Sequence, residues 1–192
     1  MEIIKKESQG ELKNLVNIRS FILAPGVLEN GPEVKAIRKY VKSKNYADIE
    51  AHIKSGKIIE KNEEHNLIVN TGLEESAKGQ SGERATAPSI NYGILCVSPS
   101  PTPVATSVIA NLTEGFRKLY SSRSHDANTS YIDFFFAAAD CSGTYTRFAN
   151  VIDGTASANS GILFSYATNS PSWTKTTAQS LFISCEYHNN NA

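Results

Sequence analysis

Apolar positions recur at two different periods along the 192 residues of the chain. Up to Gly56 the spacing is helical in pieces. Leu12, Leu15, Ile18 and Ile22 stand at near-helical intervals, but Phe21, Ile22 and Leu23 then run together ahead of Ala24-Pro25-Gly26, so residues 1–25 read as an arm of short helical or extended pieces. Pro32 followed by Glu33 is a helix-start signature, and Val34, Ile37 and Val41 share a face, which predicts a helix over residues 32–42. Asn45 can cap a second helix that carries Tyr46, Ile49 and Ile53 on one side and stops at Gly56. The apolar stripe Val34, Ile37, Val41, Ile49 and Ile53 is the expected docking face for a partner.

After Gly56 the period shortens to two. Lys57-Ile58-Ile59-Glu60 and Leu67-Ile68-Val69 predict two strands around the polar turn 61–66, and Thr71-Gly72-Leu73-Glu74 has the spacing of a capping box that opens a short helix over about 72–78. Residues 79–88 read as a polar link. Ile90, Tyr92, Ile94 and Cys96 alternate on a strand, and three prolines at alternate positions in 98–103 make the next piece an extended crossing, since proline cannot donate to a sheet. Strands are predicted over 116–122, 130–139, 147–152, 162–167 and 181–187, with 124–128 as a hairpin loop and breaks at Asp153-Gly154 and Asn169-Ser170-Pro171. Ile132, Phe134, Phe136 and Ala138 form an unbroken apolar face, the leading core expectation. Short strands at this interval predict a mainly β protein, an antiparallel β-sandwich of jelly-roll or Ig-like type with a short helical N-terminal region. The expected division is 1–56, arm and helices for docking, and 57–192, the sandwich.

Charge sharpens this division. Lysines and arginines number 19 and acids 19, a net charge of zero, and most of them lie before Ala87. Beyond it, Ser, Thr and Asn replace them. A balanced chain has no global field for nucleic acid or an anionic membrane, and Glu33, Asp48 and Glu50 intersperse with the bases of the two helices, as on solvated helix faces. The longest apolar run, 134–139, is too short to cross a membrane, and the first residues lack the apolar segment of a signal peptide, so a soluble, non-exported protein is expected. Three widely spaced cysteines, Cys96, Cys141 and Cys185, predict buried thiols rather than a disulfide framework.

No catalytic, cofactor or metal constellation emerges. Ser124-His125-Asp126 has the letters of a hydrolase triad, but triads are assembled in space and not from neighbours in a loop. His52, His65, His125 and His188 lack metal-ligand spacing, and Asp133, Asp140 and Asp153 read as turn or edge carboxylates. Trp173, with Tyr145, Tyr166 and Tyr187, could line a sugar-binding shelf, which makes a carbohydrate- or host-receptor-binding module the alternative function.

The run Asn66-Leu67-Ile68-Val69-Asn70-Thr71-Gly72-Leu73 resembles one found in small structural proteins of tailed bacteriophages. Downstream, 90–96, the Pro/Thr-rich 98–106, the aromatic strand 131–136, Gly143-Thr144-Tyr145-Thr146, Ser160-Gly161-Ile162-Leu163-Phe164, Lys175-Thr176-Thr177 and the closing 181–187 are similar to later parts of that pattern. The resemblance covers about 57–187 and stops short of residues 1–56. It implies a non-enzymatic virion component, of tail, neck, baseplate or head decoration, made in the host cytoplasm. Its implied partners are other virion proteins and further copies of itself, without nucleic acid or membrane.

Overall fold

A computed structural model describes residues 15–188 of the protein. In chain order the elements are β1 (Leu15–Leu23), α1 (Pro32–Ser43), α2 (Ala47–Lys54), β2 (Ile58–Ile68), α3 (Asn70–Ser81), β3 (Ile90–Cys96), β4 (Glu114–Leu119), β5 (Ser122–Asp126), β6 (Thr129–Phe136), β7 (Gly143–Ile152), β8 (Ile162–Lys175) and β9 (Ser180–His188). The strands form one continuous nine-stranded sheet in the order β4-β3-β7-β8-β2-β1-β9-β6-β5. Every pairing in it is antiparallel. The protein is mainly β with short helices, as the alternation predicts, and the sheet curls into a half-barrel.

The curl is visible in side chains that are distant in the strand order yet touch. Phe134 on β6 and Phe148 on β7 have ring centroids 5.7 Å apart, and Phe116 on β4 meets Phe136 on β6 at 6.2 Å. Phe148 also meets Trp173 at 6.1 Å. Inward residues are those at alternate positions, such as Val16, Ile18 and Ile22 on β1 and Ile132, Phe134 and Phe136 on β6, and they share one core. The last of the expected core face, Ala138, lies beyond the end of β6 and is only half-buried. The strands β4 and β5 stand at opposite edges of the sheet but are separated by only Tyr120 and Ser121. The Tyr120 amide donates to Asn91 O at 3.0 Å and the Ser121 amide to Asp133 O at 2.7 Å, so this link ties β3 to β6.

The two helices pack on the convex side. Val34, Ile37, Val41 and Ile49 are buried with Phe21 and Leu23 of β1 and Phe135 and Phe182 of the sheet, and Ile53 packs against the same cluster. Gly56 takes a φ of +69° where α2 ends, the left-handed turn expected there. Charge locks this layer. Arg19 pairs with Glu63 and Glu186, Lys44 reaches Glu186 at 2.5 Å, and Arg38 reaches Asp133 at 3.0 Å, itself held by Ser184 at 2.8 Å. Burial pushes the Glu186 carboxyl up, but Lys44 and Arg19 together outweigh it and hold it below the ordinary carboxylate range. At Asp133 burial prevails over its bonds from Ser184 and Arg38, and the carboxyl is raised.

Several expectations are corrected here. Residues 15–23, expected in a separable arm, are the strand β1, which lies between β2 and β9 in the middle of the sheet. Tertiary pairing overrides their near-helical spacing. The arm before Leu15 falls outside the described residues. The expected hairpin over 57–69 is a single strand, β2, paired with β1 along its length and with β8 only at Leu67 and Ile68. Among the described residues only β8 pairs with the second side of β2, and only at Leu67 and Ile68, so most of that side accommodates polar residues. The capping box does not form: the Thr71 hydroxyl donates to Leu163 O at 2.7 Å, and α3 has no side-chain cap. Residues 122–126 are a strand and the hairpin turn shrinks to Ala127-Asn128. The break at 169–171 falls inside β8, where the register against β7 shifts between Tyr145 and Arg147.

Candidate functional site

At the end of the half-barrel where β1 begins and β9 finishes, the inner face is hollow. A cleft of about 970 Å³ opens there, within the size range of small-molecule sites. Its walls are Val16, Ile68, Ile90, Ile132, Ile152 and Phe164, and Phe164 stacks edge-on against Tyr187 with centroids 5.7 Å apart. One side is closed by α3, which follows directly from β2 and presents Leu73, Ser76 and Gln80. The helix can lie this close because residue 72 is glycine: a Cβ there would stand 2.4 Å from Phe164 O. The Val69 amide donates to the same carbonyl at 3.1 Å.

On the opposite side runs β5. Arg123 and His125 pair with Ile132 and Ser130, both of which line the cleft, so these two cationic or ionisable side chains share the concave face. Arg123 donates to Ile90 O across the gap between β5 and β3 and lies over the Tyr120 ring at 3.6 Å. Among the described residues no Asp or Glu lines the cleft. Deeper on the inner face, Asn66 and Asn150 both donate to Ser165 Oγ, at 2.9 and 3.2 Å, and Tyr187 OH lies 3.4 Å from the same oxygen. Cys185 adjoins this polar layer through Asn150 at 3.4 Å.

The residues singled out from the sequence lie elsewhere. Val34, Ile37, Val41, Ile49 and Ile53 are used within the molecule to hold the helices on the sheet, so the expected helical docking stripe is covered by the chain itself. Trp173, considered for a ligand-facing shelf, is fully buried against Phe148, with its indole N–H unpartnered. Ser124, His125 and Asp126 are consecutive on one strand and alternate in direction, which precludes a triad among them. Asp133, Asp140 and Asp153 are held apart, each with its own cation, Arg38, Lys118 and Arg84. Among the described residues no group of three His, Cys, Asp or Glu could hold a metal ion, and no helix is long and apolar enough to cross a membrane. Cys96 and Cys185 are buried, as expected, and burial pushes each thiol up to about 12, while Cys141 is half-buried.

Sequence reasoning missed the strand that carries Arg123 and His125 because it placed 124–128 in a loop. The absence of Gly and Pro from 121–126, together with alternation of Arg123 and His125 with serines, is the signal that identifies β5. Comparison with protein-family models, with curated proteins and with solved structures finds no match, so the function is read from this geometry and from the sequence.

Proposed function

We propose that the protein is a structural component of a tailed-bacteriophage virion that works through protein–protein contacts, with other virion proteins and in a homo-oligomer, and not through catalysis, nucleic acid or membrane. One observation carries the reading. Two of the runs that resemble virion proteins, 66–73 and 98–106, meet in space, where the Asn70 amide donates to Ala105 O at 2.8 Å. On the two runs that this bond joins, Leu67 is 40% and Val104 52% exposed, two large apolar side chains offered to solvent. Exposed apolar side chains grouped in this way mark protein contacts more often than isolated ones do. A surface poor in charge suits the core of an interface. In this reading the two facing halves of the curled sheet serve as the layers of the sandwich expected from the sequence.

Size-exclusion chromatography with light scattering tests it. The intact protein is expected to form a defined multimer, and Leu67→Glu combined with Val104→Glu to give a smaller species with unchanged circular dichroism. A stable monomer that binds no other particle protein sinks the proposal.

A further inference from the structure

We propose that the cleft at the hollow end of the half-barrel is a binding site for a small anionic amphiphile: a molecule with an apolar body and one negatively charged head, of the medium-chain fatty-acid class. This goes beyond the assembly reading and stands apart from it, since the surface around Leu67 and Val104 is on the convex side and the cleft is concave.

Three observations define the ligand. Ile68, Ile90, Ile132, Ile152 and Phe164 give the cleft an apolar stretch that gains from covering hydrocarbon, while Ser76, Gln80 and Ser130 are among its polar lining. The volume, about 970 Å³, accommodates a flexible chain with room to spare. Among the described lining residues, Arg123 is the one Lys, Arg, Asp or Glu side chain. Arg123 and His125 stand on the concave face of β5, and among the described residues no carboxylate lines the space. The bond of Arg123 to Ile90 O engages one of five guanidinium N–H donors and fixes the head group's partner at the gap between β5 and β3. An anion there gains charge-assisted hydrogen bonds while its tail lies along the isoleucines. Ser130, the register partner of His125, lines the cleft beside it.

The test uses the full chain and sodium decanoate, with decan-1-ol as the uncharged control and hexanoate and octanoate as shorter homologues. Binding is followed by amide chemical-shift titration and by calorimetry. Decanoate is expected to shift amides of β5, α3 and the start of β3, with affinity rising about fourfold for each added methylene and falling about tenfold when the charge is absent. Arg123→Gln should weaken decanoate about tenfold and leave decanol within about twofold. Ser130→Trp should fill the mouth and abolish binding of both. If Arg123→Gln does not fold, His125→Gln and the chain-length series on the intact protein decide the matter. Equal affinity for decanoate and decanol, no dependence on chain length, shifts located outside the cleft, or binding of neutral oligosaccharides there in place of decanoate would each overturn the proposal.

Discussion

At the end of the half-barrel where β6 finishes and β9 begins, Phe134, Phe136, Phe148 and Trp173 fill the interior, with Phe148 in edge contact with both Phe134 and Trp173. Lys175 closes that end, buried, with its ammonium donating to Cys141 O at 2.5 Å and Ala138 O at 3.2 Å. At the opposite end the same strands carry isoleucines on the same face and leave the cleft. Both ends obey one alternation of inward and outward residues. The contrast teaches that alternation decides which side chains face inward, while side-chain volume decides whether the space between facing strands is filled.

The contrast can be broken most directly by truncation. Phe148→Ala removes a ring that touches both Phe134 and Trp173 and should cost about 3–5 kcal/mol, whereas Ile152→Ala, at the edge of existing space, should cost about 2 kcal/mol, near the low end for aliphatic truncation. Urea unfolding measures both, and equal losses would erase the distinction between the ends. Gly72→Ala sharpens it from the side of the cleft. The new methyl would press on backbone at Phe164, which cannot swing aside, so a loss of about 1–3 kcal/mol is expected, with changed amide shifts along α3.

Acid should act on the convex layer and spare the interior. The Glu186 carboxyl sits below its ordinary value of 4.5, so its ionised form stabilises the fold above that value, and the contribution is lost as pH falls through the lower folded value. Asp133 is raised, so it has the opposite sign and favours the fold as pH falls through its raised value. Thermal melts across the acid range should show a shallower loss for Glu186→Gln than for the unaltered protein, and a steeper one for Asp133→Asn. Parallel curves for all three would remove the assignment.

The smallest effects lie at the start of α3. Thr71→Val should cost about 1 kcal/mol through the lost bond to Leu163 O, and Glu74→Ala less than about 0.5 kcal/mol, because no capping box forms there. A larger loss at Glu74 than at Thr71 would restore the capping box.

Much of the β architecture was legible, and the limits have physical causes. The strand over 90–96 and both helices before Gly56 were set by local signals, such as Pro32 at a helix start and unbroken β alternation. The strand β1 was not, because Leu15, Ile18 and Ile22 fit two periods and pairing with β2 and β9 chooses between them. The polar run 61–66 was read as a turn since polarity usually marks one; in β2 it belongs to a strand that β8 meets only at Leu67 and Ile68. The cleft was illegible for a related reason. A hollow depends on which strands face one another across the curl, and Phe164 and Ile90 are brought together by topology that no local pattern encodes.

The two-residue passage from β4 to β5 has a consequence for how the sheet forms. In an open sheet of nine strands the outermost pair would be remote along the chain, and bringing them together would require a long loop to close. Here Tyr120 and Ser121 make them sequence neighbours, and the entropy of closing a loop falls as it shortens. Curvature is thus imposed by connectivity: once β4 has joined β3 and β5 has joined β6, the two margins of the sheet cannot part further than a dipeptide allows.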